Sequence, residues 1–326
     1  MNQLRGSMLA IVFLLSAGCT LPDGGAGAGS ETSAAKAPGG VSEPCVVGFN
    51  ARGVMAVSVP SGKESVLPHP DDTSMWAPEY DSVSRTLYYV DRAKRAVIAW
   101  QVDGKTRNVL YTFGKDDDEL WTWWLLLNKY GDRLFFQIKP WEGGVKSTRL
   151  VSYDLKSREP QVVFVGPLSP VQRPAWLSDS SLLVITGVRI PGEATLKSRL
   201  EELDLAKRNT RVLQEDIGAF ALSDDKKTIC TRNLATGDYV IRDFPSLAIT
   251  RTVTEKELPG ENSRGNFCIA GNRYLVLFRE HDAMSPLGTF LVELDRPDHK
   301  PHRLSRILLD SINSMSSLPE WPKKAN

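Results

Sequence analysis

The side chains best suited to chemistry are carboxylates crowded into short polar segments. Asp71 and Asp72 fall in Pro68-His-Pro-Asp-Asp72, Asp116, Asp117, Asp118 and Glu119 in Gly114-Lys-Asp-Asp-Asp-Glu119, and Glu215 and Asp216 in Gln214-Glu-Asp216. Glu255-Lys-Glu257, Gly260-Glu-Asn262 and Asp310 extend the set. Clustered acids attract a basic peptide, a polyamine or a divalent cation. They also suit solvated turns without any ligand, and both explanations stand at this point. Leu120-Trp-Thr-Trp-Trp124 adjoins the heaviest acid run, with Trp76 one repeat earlier and Trp141 in a neighbouring loop. Trp121 and Trp141 beside carboxylates suit carbohydrate stacking or a peptide groove. Alternation along a strand sends Trp121 and Trp123 one way and Trp124 the other, so at least one of them belongs to the core.

Other chemistries lack their residues. The chain has four histidines, of which His69 and His281 are isolated and His299 and His302 share a proline-bearing turn. No Gly-x-Ser-x-Gly elbow or Gly-rich phosphate loop occurs, and Gly114 to Glu119 lacks EF-hand spacing. Beyond Cys19, Cys45, Cys230 and Cys268 have no zinc spacing; they read as small buried hydrophobes, with a disulfide open to them outside the cytoplasm. The sequence calls for no cofactor. A net charge of +1, from 40 basic and 39 acidic side chains, argues against nucleic-acid binding, which needs a basic excess or stripe.

The elements that must hold these carboxylates repeat along the chain. Leu87-Tyr-Tyr-Val90, Leu134-Phe-Phe136, Leu182-Leu-Val-Ile185, Thr228-Ile-Cys230 and Tyr274-Leu-Val-Leu277 each follow a polar turn, at steps of 47, 48, 46 and 46 residues. Each unit continues with a second β-rich run ending near an acid, such as Ala96 to Asp103, Arg149 to Asp154 or Phe290 to Asp295, and then a polar turn. Four short strands per unit is the composition of a propeller blade. Cys45 to Lys63 supplies three strands of a blade lacking its first, and Ser314 to Trp321 matches a first strand alone. The expectation is therefore an all-β, six-bladed β-propeller over 44–322, its closing blade shared between N- and C-terminal strands, with a short tail at 323–326. Links between blades lie on the same face as turns between second and third strands, so the acids would ring one mouth. Pro140 to Gly144, Ile190 to Glu193 and His281 to Pro286 are the longer second-to-third-strand loops and would rim that face.

Ala175-Trp-Leu-Ser-Asp-Ser-Ser181, Leu150-Val-Ser-Tyr-Asp-Leu-Lys156 and Leu222-Ser-Asp-Asp225 resemble the turn and strand phrases of TolB-type and WD40-like six-bladed propeller repeats. The resemblance implies a fold and a cell-envelope setting, not an activity.

The N-terminus carries an address. Arg5 is a positive start, Met8-Leu-Ala-Ile-Val-Phe-Leu-Leu15 an apolar core too short to span a bilayer comfortably, and Ser16-Ala-Gly-Cys19 resembles a lipobox. Ser16 stands where that pattern favours Leu; the other reading is a secretory signal cut near Ala17. As a lipobox, 1–18 is a signal peptide, Cys19 the lipidated residue, and the Gly-, Ala- and Ser-rich stretch through 43 a flexible tether. Thr20 after the cysteine resembles the pattern of lipoproteins sent to the outer membrane in a Gram-negative cell, facing the periplasm. The resulting expectation is a membrane-anchored envelope lipoprotein whose propeller binds or scaffolds an envelope protein or a small ligand. The alternative is a carbohydrate hydrolase or lyase using carboxylates at the same mouth.

Overall fold

The computed structural model describes residues 43–50, 53–68, 75–103, 106–114, 124–138, 141–142, 145–146, 148–169, 172–189, 196–233, 235–258, 267–282, 285–296, 298–305 and 310–315. The expected signal peptide, Cys19, the expected tether to 42 and the expected tail all fall outside these.

Strands dominate because runs such as Leu87-Tyr-Tyr-Val90 are β-rich on both faces, and both faces are buried. Six four-stranded antiparallel sheets form a ring. Blade 1 comprises Met75–Asp81, Thr86–Asp91, Ala96–Gln101 and Thr106–Thr112. Blade 2 comprises Leu125–Leu127, Arg133–Ile138, Thr148–Asp154 and Pro160–Gly166. Blade 3 has Ala175–Trp176, Ser181–Arg189, Leu196–Asp204 and Asn209–Glu215. Blade 4 has Ile217–Leu222, Thr228–Asn233, Tyr239–Asp243 and Ile249–Val253. Blade 5 has Phe267–Ala270, Tyr274–Asp282, Ser285–Glu293 and His302–Ser305. Blade 6 joins Asp310–Met315 to Cys45–Asn50, Gly53–Ser58 and Glu64–Pro68. Cys45 pairs with Met315 and Val46 with Ser314, so one strand from each end of the chain zips the ring shut. Closure leaves no open edge between the first and last repeats.

The closing strand differs from expectation in extent. It begins at Asp310, which the sequence reading had put in a link between blades. Residues 316–321 of the expected strand lie outside the described residues. His302 likewise belongs to an outer strand rather than to a turn.

The core divides into six wedges, one at each seam between blades. Cys45, Val47, Val54 and Ala56 of blade 6 pack on Leu87, Tyr89, Ile98 and Trp100 of blade 1. On the other face of blade 1, Tyr88, Val90 and Val97 meet Leu134, Phe136 and Tyr153 of blade 2. The same arrangement recurs around the ring. Trp124 is buried in the seam of blades 2 and 3, as strand alternation required of one member of that cluster. Cys45, Cys268 and Cys230 occupy three different seams as buried thiols outside any disulfide.

The acids that end strands cap the following turn. Asp154 Oδ1 accepts the backbone N–H groups of Lys156 and Ser157 at 3.0 and 2.9 Å. Asp204 does the same for Ala206 and Lys207 at 3.0 and 2.9 Å. Each of these turns closes through an arginine in the left-handed region, Arg158 at φ 63° and Arg208 at φ 57°. The donated N–H groups, Ser157 first and Lys207 first, hold the two carboxyls below the ordinary Asp range.

The outer edges are handled by a repeated bulge. In blade 1 Val97 pairs with Tyr111 and Ile98 with Val109, leaving Leu110 as an extra residue turned against the core. Val163, Leu213, Thr250 and Leu304 are the extra residues in blades 2 to 5. A bulge at the same place in these five outer strands twists their edges away from edge-to-edge pairing, whereas the outer strand of blade 6 pairs without one.

Candidate ligand-binding face

Antiparallel order places the links between blades and the second-to-third-strand turns at one end of the ring, the mouth face. Among the described residues its relief comes from how far each second-to-third-strand hairpin runs past its flanking strands. Blade 3 continues through Gly187 with Ser198, Val188 with Lys197 and Arg189 with Leu196, beyond the last outer-strand pair, Arg199 with Glu215. Blade 5 continues through Arg279 with Gly288, Glu280 with Pro286 and Asp282 with Ser285. Blade 2 carries a separate ribbon, Trp141–Glu142 against Val145–Lys146. These are the three loops whose length singled them out in sequence. In blade 1 the tip pair Asp91 with Ala96 is flanked on both sides, by Met75 and Thr112. Blades 4 and 6 also end flush, at Arg232 with Tyr239 and at Asn50 with Gly53.

The expected ligand residues are unevenly placed. Asp71, Asp72, Asp116, Asp117, Asp118, Glu119 and Trp121 lie outside the described residues. Trp141 is in the blade 2 ribbon on the mouth face. Gln214 and Glu215 are in the outer strand of blade 3 rather than in a loop, and Asp216 alone, at φ 59°, links blade 3 to blade 4. Glu215 is held by Arg199, Nε to Oε2 at 2.9 Å. Asp216 is exposed, and Glu255–Glu257 form a 3-10 turn after blade 4 on the same face. Asp238, in the tip turn of blade 4, accepts the Glu255 N–H at 2.9 Å. That bond lowers the Asp238 carboxyl, and the Thr254 backbone N–H, bonded to Oε2 at 2.7 Å, lowers Glu257. Both are carboxylates at neutral pH.

Sequence reasoning missed the polar lining of the central channel. The first strand of each blade is innermost, and its inner edge has no strand neighbour. Side chains from adjoining blades satisfy that edge. The Leu127 N–H donates to Glu79 Oε1 at 3.1 Å, and Trp176 Nε1 donates to the Leu127 carbonyl at 3.0 Å. Gln172 mimics a strand, with Nε2 donating to Phe220 O at 3.1 Å and Oε1 accepting the Phe220 N–H at 3.3 Å. Lys226 Nζ reaches Leu177 O at 2.9 Å. Arg173 of blade 3 crosses blade 2: its Nε donates to Leu125 O at 3.2 Å, and one Nη contacts both Glu79 oxygens at 2.8 Å. Glu79 and Arg173 have side-chain exposures of 11% and 31%, so this is a largely desolvated pair tying three blades together. A signal was available in the aligned phrases Ala77-Pro-Glu-Tyr80 and Arg173-Pro-Ala-Trp176, which set an acid and a base at channel positions two blades apart.

The opposite face is stitched between neighbouring blades. Asp179 of blade 3 accepts from Tyr130 at 2.8 Å and pairs with Lys129, both of blade 2, and the Asp225 N–H donates to Asn272 at 3.0 Å. Val83 and Tyr130 are exposed there, at 93% and 66%. Among the described residues no group of three or more His, Cys, Asp or Glu is close enough to hold a metal ion.

No protein-family model matches the chain, and no curated protein sequence matches it. Solved structures do. The chain is similar to the TolB structure from Acinetobacter baumannii, with a TM-score of 0.54 and 12% identity, covering 84% of this chain and 66% of that one. It is similar to a chain of a nidogen/laminin complex, with a TM-score of 0.53 and 11% identity over 84% of this chain and 100% of that one. An oligogalacturonate lyase solved with manganese gives a TM-score of 0.52 and 13% identity over 78% and 70%. At such identities the likeness is one of fold.

Proposed function

We propose that the chain is an exported, lipid-anchored envelope protein whose six-bladed propeller recognises a protein or small ligand at its mouth face, without bond chemistry. The observation that carries this reading is asymmetry: hairpins of blades 2, 3 and 5 overrun their sheets on one face only, while blades 1, 4 and 6 end flush. A scaffold that needed only stability would have no use for raised walls on the face where links between blades converge. The TolB and nidogen/laminin likenesses support a binding role. Lipidation at Cys19 and residence in the outer membrane of a Gram-negative cell rest on the N-terminal sequence.

A second reading, a carbohydrate hydrolase or lyase with carboxylates at the mouth, is supported by the lyase likeness and by the acids at that face. Three experiments test the set. Radiolabelled palmitate should enter the wild-type protein and not C19S; equal labelling overturns the anchor. Crosslinking in the native cells, followed by mass spectrometry, should capture a partner that is lost when Asp116, Asp117 and Asp118 become Asn and Glu119 becomes Gln. A partner retained in that variant removes the acidic loops from the reading. Turnover of acidic oligosaccharides by the purified chain would favour the enzyme.

A further inference from the structure

We infer that the stitched face rests on the bilayer that anchors the chain, with Val83 and Tyr130 as its contact points, and that the mouth opens away from the membrane. This rests on the lipid-anchor reading above and deepens it. The chain enters the propeller on the stitched face. Its strand Cys45–Asn50 ends at the flush mouth tip, where Asn50 pairs with Gly53, so Cys45 lies at the other end of the ring. The residues just before it are held there. The Val59 N–H donates to Pro44 O at 2.8 Å, and Ser61 Oγ donates to the Glu43 carboxylate. Pro44 also packs so closely on Gly271, in a stitched-face turn of blade 5, that a Cβ on that glycine would sit 2.5 Å from the proline Cγ. An anchor at Cys19 therefore pulls on the face opposite the mouth. A Gly-rich coil as long as 19–43 has an end-to-end distance of about 25–30 Å. Laying the mouth on the bilayer would use up most of that in rising the height of a six-residue strand, about 20 Å, before passing the rim.

The side chains exposed on that face fit such a partner. Val83 and Tyr130 tip two of its turns, at 93% and 66% exposure, whereas other exposed large apolar side chains, such as Val109 and Ile249, lie along outer strands at the rim. Among the residues whose burial is described, no turn on the mouth face exposes a large apolar side chain. The two turns belong to neighbouring blades and meet: a Cβ on Gly131 would lie 3.4 Å from Asp81 Oδ2. The Tyr130 hydroxyl donates to Asp179 while Lys129 Nζ stands 4.7 Å from the ring centroid. An exposed tyrosine ring, a lysine and an apolar tip form the amphipathic set that suits the boundary between headgroups and acyl chains. The acids of these turns have partners of their own. Asp81 accepts the Val83 N–H at 2.9 Å, Asp132 accepts from Asn128 Nδ2 at 2.7 Å, and Arg85 holds Asp103 at 2.6 Å. Burying two side chains gives a contact on the order of millimolar affinity. That suffices only because a short tether supplies a local concentration of the same order.

The test uses the acylated full chain reconstituted into vesicles of phosphatidylethanolamine and phosphatidylglycerol that carry a nitroxide on the headgroup. A fluorophore is attached at Ser82→Cys or at Asp216→Cys, both exposed positions; Cys45, Cys230 and Cys268 are buried and Cys19 carries the lipid, so the new thiol alone reacts. The nitroxide should quench the label at 82 at least threefold more than the label at 216. Val83→Ser with Tyr130→Ser should lower quenching at 82 at least twofold in a chain that still melts cooperatively and stays on the vesicles. C19S should not bind the vesicles. Because the stitched face meets lipid, a photocrosslinker at Val83 should yield no protein adduct. Equal quenching at the two positions, or more at 216, overturns the orientation. Quenching at 82 unchanged by the paired Ser substitutions overturns the contact, and C19S bound as tightly as wild type overturns the role of the tether. A wild-type chain that takes up no palmitate overturns the anchor reading and this inference with it; a palmitoylated chain quenched at 216 overturns the inference alone.

Discussion

Removing the arginine from the channel pair should cost more than any surface change on this protein. In Arg173→Met, Glu79 keeps the Leu127 N–H but loses both 2.8 Å contacts to the guanidinium, and Leu125 O loses its donor. Breaking a fully buried pair from one side costs about 3–5 kcal/mol. Arg173 is nearly a third exposed and water can enter the channel, so we expect about 2–3 kcal/mol, including roughly 1 kcal/mol for the carbonyl contact. Glu79→Gln retains an acceptor for the Leu127 N–H and should cost less. In the double variant no charge is stranded, so its cost should fall short of the sum of the singles by about 1–2 kcal/mol. Urea unfolding followed by tryptophan fluorescence reads this directly: with a slope of about 3 kcal/mol/M, the Arg173→Met midpoint drops by about 0.7–1 M. Singles that each cost under about 0.5 kcal/mol, or a double equal to their sum, would refute the argument that the pair ties three blades together.

Other outcomes follow from the seams and turns. Burial pushes the Cys45 thiol up to about 12 and raises Cys230 and Cys268 further, so in C19S none of the three should react with a disulfide reagent at pH 8 until the fold is melted; fast native labelling of even one contradicts the seam placement. Asp154 and Asp204 have depressed folded pKa values, so their turns stabilise the fold above the unfolded carboxylate value, about pH 4, and that stability is lost as pH falls through the lower folded values. The double Asn variant keeps the capping acceptor and should show a flatter acid limb in melting temperature against pH; an unchanged limb removes these groups from the acid response. Arg158→Gly and Arg208→Gly relieve left-handed backbone at two turns and together should raise the melting temperature by a few degrees, about 1 kcal/mol; a fall would mean the arginine side chains hold contacts worth more than the strain.

The ring was legible because both faces of every blade are buried, which leaves short apolar runs such as Leu182-Leu-Val-Ile185 standing out at a nearly constant step. The same step reappears in space: Arg173 to Leu125, Gln172 to Phe220 and Asp225 to Asn272 bond across one repeat. The closing blade was legible from an incomplete unit at each end, though not its first residue, since Asp310 looks like a turn acid until Phe49 is seen opposite it. The raised hairpins could be read from loop length. Glu79 and Arg173 could be placed at channel positions by aligning their repeats, but that they meet, 94 residues apart, shows only in the folded ring. Nor could the outer bulges, since Leu110 and Val163 look like ordinary strand residues until their neighbours on both sides are paired.

The claim that recognition occurs at the mouth is best tested by placing a photocrosslinking residue at Asp216 in one copy and at Val83 in another, in the native cells. Both positions are exposed, on opposite faces of the ring. Adducts from Asp216 and none from Val83 are the predicted result; adducts from Val83 alone would put recognition on the stitched face and contradict it.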